Sequence, residues 1–192
     1  MSYRSFLPWI VFTAVSSVAW QWAALAAFAI GVRVLIQHRK DGIADDALIL
    51  EFSTCGYFAA LSALAFALPH SDLKHYCAAL GYGWLAATMA GTLALHRPFT
   101  LGIARRKAPE EVWNTPTFLR MNSVITVVWA GSFAVAAIAI ALLVAASTKD
   151  IAGPVTCQVV GFAIPAVFTH RYPTIVRSRP APAPADATAA AL

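Results

Sequence analysis

The sequence predicts an all-α polytopic transmembrane helix bundle of about five spans, preceded by a short re-entrant or interfacial N-terminal segment. Two observations predict it. Of 192 residues, 59% are hydrophobic and only 12% charged, with a mean hydropathy of +0.67, whereas a soluble domain carries about a quarter charged residues. The apolar residues also fall into long runs, near the roughly 20 residues that a helix needs to cross a hydrocarbon core. These features exclude a water-soluble enzyme. Three widely spaced cysteines exclude a disulfide-stapled secreted module.

The first run, Leu7 to Ile36, has thirty residues. As one straight helix it would measure about 45 Å against a hydrocarbon core of about 30 Å. Pro8 and the Ser16-Ser17 pair divide it into a short segment, Leu7 to Ser16, and a full span, Val18 to Ile36. Its length argues against a cleaved signal peptide. Ala47 to Leu68 is the second span and Tyr76 to Leu95 the third, stopped by Pro69 and Pro98, because proline cannot continue a hydrogen-bonded helix. Residues 96–117 form a basic connection too polar for lipid. Phe118 to Ala146 contains the fourth span. Gly153-Pro154 marks the start of the fifth, since a first helical turn does not need the N–H that proline lacks. Val155 to Phe168 follows, with Pro165 expected to interrupt it. The transmembrane domain is therefore residues 1–177, and 178–192 reads as a disordered Pro/Ala-rich tail. No internal repeat is evident, which weakens an inverted-repeat transporter reading.

Basic residues give the orientation. Arg33, Arg39, Lys40, Arg97, Arg105, Arg106, Lys107, Arg120, Arg171, Arg177 and Arg179 fall on one side, which makes eleven, against Lys74 and Lys149 on the other. The richer side is expected to be cytoplasmic, with the C-terminus. If Leu7 to Ser16 dips in and returns, or completes a thin hairpin, the N-terminus joins it there.

Glu51 is the most deeply placed carboxylate, and an ionisable residue inside a span is a functional suspect. Arg33, at similar depth on the preceding span, is its expected partner in an intramembrane ion pair. Deeper acids or histidines for a proton path are absent from the spans. The histidines sit near span ends: His75 and His96 bracket one span about 31 Å apart, too far to share an iron, while His70 with His75, or His96 with His170, are weak metal pairs. Interfacial imidazoles are expected instead, and no cofactor. Cys55, Cys77 and Cys157 fall in spans, where thiols act as small hydrophobes. Runs of Gly and Ala allow close helix approach, inside the bundle or across a homodimer face.

The connection 96–117 is the most distinctive stretch. Arg105, Arg106 and Lys107 can attract anionic headgroups, its prolines stiffen it, and Trp113 can anchor it at the interface. Asn122, just inside the fourth span, should need an interhelical partner for its amide. These residues, with Arg97 and Pro98, are candidate contacts for lipid or a partner protein, beyond their role as topology signals.

Phe6-Leu7-Pro8 before an apolar run, a basic residue then Pro98 after the third span, and Trp113 followed by Arg120-Met121-Asn122 resemble the bacterial intracellular septation protein A family of inner-membrane proteins. The order of spans agrees over about residues 5 to 175. One departure is Ile125 near the position where that family tends to place a tryptophan, with Trp129 coming later, the pattern of a distant relative. The resemblance implies a non-enzymatic protein of the bacterial inner membrane that organises envelope or division complexes, with other membrane proteins and the bilayer as partners and no nucleic acid. The rival expectation is a small transporter or lipid/ion carrier with Glu51 in its pathway.

Overall fold

The computed structural model describes residues 5, 7–16, 19–147, 149 and 151–177, and among these there is no strand. Seven α-helices follow in order: α1 (Leu7–Val15), α2 (Trp20–Lys40), α3 (Ile49–Ala67), α4 (Leu73–Ala94), α5 (Phe99–Arg105), α6 (Pro116–Ala146) and α7 (Ala152–Arg177). Single 3-10 turns occupy Asp45–Ala47 and Glu110–Val112. Five helices, α2, α3, α4, α6 and α7, are long and apolar enough to cross a membrane, the architecture of an integral membrane protein. The tail expected to be disordered, 178–192, lies outside the described residues.

Local chemistry sets the ends. Thr115 caps α6 by accepting the Phe118 N–H at 3.4 Å, with Pro116 at the first helical position. At the end of α4, His96 adopts a left-handed backbone (φ 55°), and the Arg97 N–H returns to the Thr92 carbonyl at 2.9 Å, the hydrogen-bond pattern that closes a helix C-terminus. Pro98 then prevents continuation.

The helices divide into two units. In the first, α1 and α3 pack on α2 through Phe12, Trp20, Ala23, Ala27, Phe58 and Leu61. Buried α2 residues recur as Trp20, Ala24, Ala27, Gly31, Val34 and His38, steps of three and four that form one helical face. Gly31 lets α3 close in, since a Cβ there would lie 3.3 Å from the Cys55 sulfur. In the second unit, α4 and α7 pack on α6 around Met89, Ile125, Trp129 and Phe133. Contact between α3 and α4 is sparse, and is carried by polar bonds: Tyr57 donates to the Cys77 carbonyl at 2.9 Å and the Trp84 indole to the Ser53 hydroxyl at 2.9 Å.

The short N-terminal segment forms α1, which lies against α2 and α3. Ser5 bonds Glu51 at the end where α2 finishes and α3 begins, and α1 packs along α2. At the opposite end the Trp20 indole bonds the Pro69 carbonyl at 3.2 Å.

Two expectations are corrected. Pro165 does not interrupt the fifth span, for α7 runs through both Pro165 and Pro173. Proline at 165 leaves the carbonyl four residues earlier, that of Gly161, without its helical donor. The Ser132 hydroxyl of α6 donates to that oxygen at 2.8 Å, so a neighbouring helix supplies what proline removes. The connection 96–117 is also not uniformly polar. Phe99–Arg105 within it folds as α5, with Phe99, Thr100, Leu101 and Gly102 buried.

Candidate functional site

The site lies at the basic end of the bundle, where α2, α3 and α5 converge. Glu51 is 8% exposed, and its Oε1 accepts the Ser5 hydroxyl at 2.7 Å and lies 3.2 Å from His38 Nδ1. The expected Arg33–Glu51 ion pair gives way to this arrangement. Arg33 is exposed, five residues before His38 and so about 140° around the helix from it, while His38 continues the buried stripe. Charge alone does not single out His38, yet its place four residues beyond Val34 and seven beyond Gly31 on that stripe was a usable signal.

Ser5, His38 and Glu51 line a cavity of about 350 Å³, with Ile43, Leu50, Ile103, Arg106 and Lys107 among its other walls. Helix α5 forms one side of it and is held tightly. A Cβ on Gly102 would come within 2.5 Å of the Asp46 carbonyl oxygen and 2.7 Å of the Ala47 nitrogen, so only glycine permits this approach. Arg105 reaches Asp46 at 3.4 Å and lies over the Trp113 ring at 5.6 Å. Trp113 in turn donates to the Ala108 carbonyl at 2.9 Å. The tryptophan therefore braces the connection internally.

On its other side α5 is bonded to α6. The Thr100 hydroxyl lies 3.0 Å from both the Asn122 carbonyl and the Thr126 hydroxyl, and Phe99 meets Trp129 edge to face. The Asn122 side chain behaves differently from expectation. Its amide donates to Phe118 O, four residues back in its own helix, at 2.9 Å, and it is the Asn122 backbone carbonyl that takes the interhelical bond. Among the expected contact residues, Arg97 is exposed, Pro98 is buried before α5, and Arg106 and Lys107 are exposed at the cavity.

A second, larger space of about 730 Å³ lies between α1 and the second helical unit. Trp9, Ile10, Thr13 and Ala14 wall it on one side, and Leu85, Met89, Trp129 and Phe133 on the other. Ile10 is 60% exposed, so the cleft is open along α1. Leu50 is a wall of both the polar cavity and this apolar cleft. A third space of about 410 Å³ shares Ile103 and Lys107 with the cavity and Trp129 with the cleft. Charged and apolar chambers thus adjoin around Leu50, Ile103 and Trp129.

Among the described residues, no three His, Cys, Asp or Glu side chains gather as a metal site, and all three cysteines are free thiols. His96 and His170 are both exposed. No family model, curated protein or solved structure matches this chain.

Proposed function

We propose that this integral membrane protein binds an amphiphile, its polar head in the cavity at Glu51 and His38 and its apolar part in the cleft along α1. One observation carries the reading: Leu50 is a common wall of a 350 Å³ polar chamber and a 730 Å³ apolar one. Small-molecule sites have this character, mostly apolar surface of about 300–1,000 Å³ with a few placed polar groups. The sparse α3–α4 contact suits such a role, since it leaves room between the two helical units where a packed interface would otherwise fill the space. This favours the carrier expectation with Glu51 at the site, and it is compatible with the envelope role that the resemblance implies, as lipid handling. We also infer that the basic end faces the cytoplasm.

Native mass spectrometry of the full chain released from its membrane in mild detergent tests the reading. The wild type should retain about one lipid per chain through collisional removal of the micelle. Ala14→Trp, which fills the cleft from its exposed α1 wall, should lose it. A wild type that sheds all lipid with the micelle, or an Ala14→Trp variant that keeps as much, contradicts the reading.

A further inference from the structure

We infer that the bound amphiphile carries a phosphomonoester headgroup, held by Arg106 and Lys107 at the polar cavity. The inference rests on the amphiphile reading above and adds the headgroup's chemistry. One carboxylate, Glu51, lines this cavity, and it is hydrogen-bonded by Ser5 and lies 3.2 Å from His38 Nδ1; outside the lining, Asp46 has Arg105 at 3.4 Å and Asp45 has Arg39 at 3.2 Å. Arg106 and Lys107 also line the cavity, and among the described residues neither forms an ion pair. The cavity therefore carries a cationic surplus at its mouth, where Arg106 and Lys107 outnumber the single lining carboxylate, Glu51, which already holds Ser5 and His38. A group with about two negative charges and several acceptor oxygens complements that surplus, which is the character of a phosphate ester at neutral pH. A zwitterionic phosphodiester headgroup, with no net charge, would leave it unmatched. Guanidinium and ammonium are both strong phosphate ligands, one as a planar fork and one as a point charge. Lys107 also lines the third chamber beside α6, so its ammonium serves the junction of the chambers.

The occupant is a lipid, since the charged cavity adjoins an apolar cleft about twice its volume. A free phosphate would use the cavity alone.

The test is thermal unfolding of the purified full chain in detergent, titrated separately with dioleoyl phosphatidic acid, dioleoyl phosphatidylcholine and inorganic phosphate. A ligand that binds only the folded protein raises the melting temperature in a concentration-dependent way. Phosphatidic acid should act at roughly tenfold or more lower concentration than phosphatidylcholine, the scale expected for two cations near an anionic headgroup. Inorganic phosphate should not reproduce the shift. Arg106→Gln with Lys107→Gln should abolish the preference while leaving the response to phosphatidylcholine. Arg97→Gln with Arg120→Gln, which removes two exposed cations from the same end but outside the cavity, should retain it. Equal response to the two lipids overturns the headgroup assignment and leaves the amphiphile reading standing. A shift with inorganic phosphate equal to that with phosphatidic acid overturns the lipid as source. Loss of preference in Arg97→Gln with Arg120→Gln as large as in the cavity pair reduces it to general surface potential and overturns the site. No response to either lipid overturns both readings together.

Discussion

Glu51 illustrates how burial chooses among partners that sequence distance leaves open. Arg33 and His38 both precede it across one short connection, and formal charge favours the arginine. Helical phase favours the histidine, because His38 lies on the face of α2 that carries Ala27, Gly31 and Val34. A buried acceptor that loses its partner costs about 1–3 kcal/mol, so His38→Leu should destabilise by that amount. Arg33→Gln, on an exposed face, should stay within about 0.5 kcal/mol. Reversible unfolding in mixed micelles measures both, and a larger loss from Arg33→Gln would restore the pairing expected from sequence. Glycine 102 gives a second case at this scale. Its missing Cβ admits the backbone of Asp46 and Ala47, so Gly102→Ala should cost about 1–3 kcal/mol through forced separation of α5 from that turn. Gly91, whose added Cβ would meet nothing within 4 Å, is the control: Gly91→Ala should be neutral or stabilise by up to about 1 kcal/mol through helix propensity. Equal losses at the two positions would refute the tight docking of α5.

Among the elements, the spans were legible because each is a long apolar run, as lipid demands, and Pro69 and Pro98 close the second and third. Expected and observed boundaries agree closely for α3, α4 and α6. Helix α5 was obscured because its apolar residues, Phe99 to Ala104, sit between Pro98 and a run of three cations, and the average over the connection hides them. The course of α7 was misread for a different reason. A proline's effect depends on whether a neighbouring helix can serve the carbonyl it frees, and Ser132 lies 29 residues from Gly161 in the chain. That pairing yields a double-mutant prediction. With Pro165 present, Ser132→Ala should cost about 1–2 kcal/mol, since an orphaned carbonyl in a helix interface has no water to turn to. In a Pro165→Ala background the Gly161 carbonyl regains its helical N–H, and the same substitution should cost clearly less. Additive losses across the cycle would show that Ser132 does not compensate the proline.

For the whole molecule, the up-and-down course of the helices brings Arg39, Arg97, Arg105, Arg120 and Arg171 to one end, with Lys74 at the other. Cysteine substituted at Asp72 and at Glu110, each in a background lacking the three native thiols, gives a direct check of orientation. An impermeant thiol reagent on intact cells should modify residue 72 and spare residue 110 until the membrane is opened, and the reverse result would invert the topology. The charge asymmetry behind that expectation is a one-dimensional property and was readable from the chain. The site was only partly so. Glu51, Arg106 and Lys107 were singled out by charge, but the apolar cleft depends on how α1 stands beside α4, α6 and α7, and no local pattern encodes a gap between helices. An amphiphile held in this gap would be visible in a density map of the full chain in lipid nanodiscs. Elongated non-protein density should begin beside His38, Arg106 and Lys107, pass Leu50 and continue along α1 between Trp9 and Trp129. A map in which α1 closes against α4 and α6, leaving no such density, would contradict the amphiphile reading.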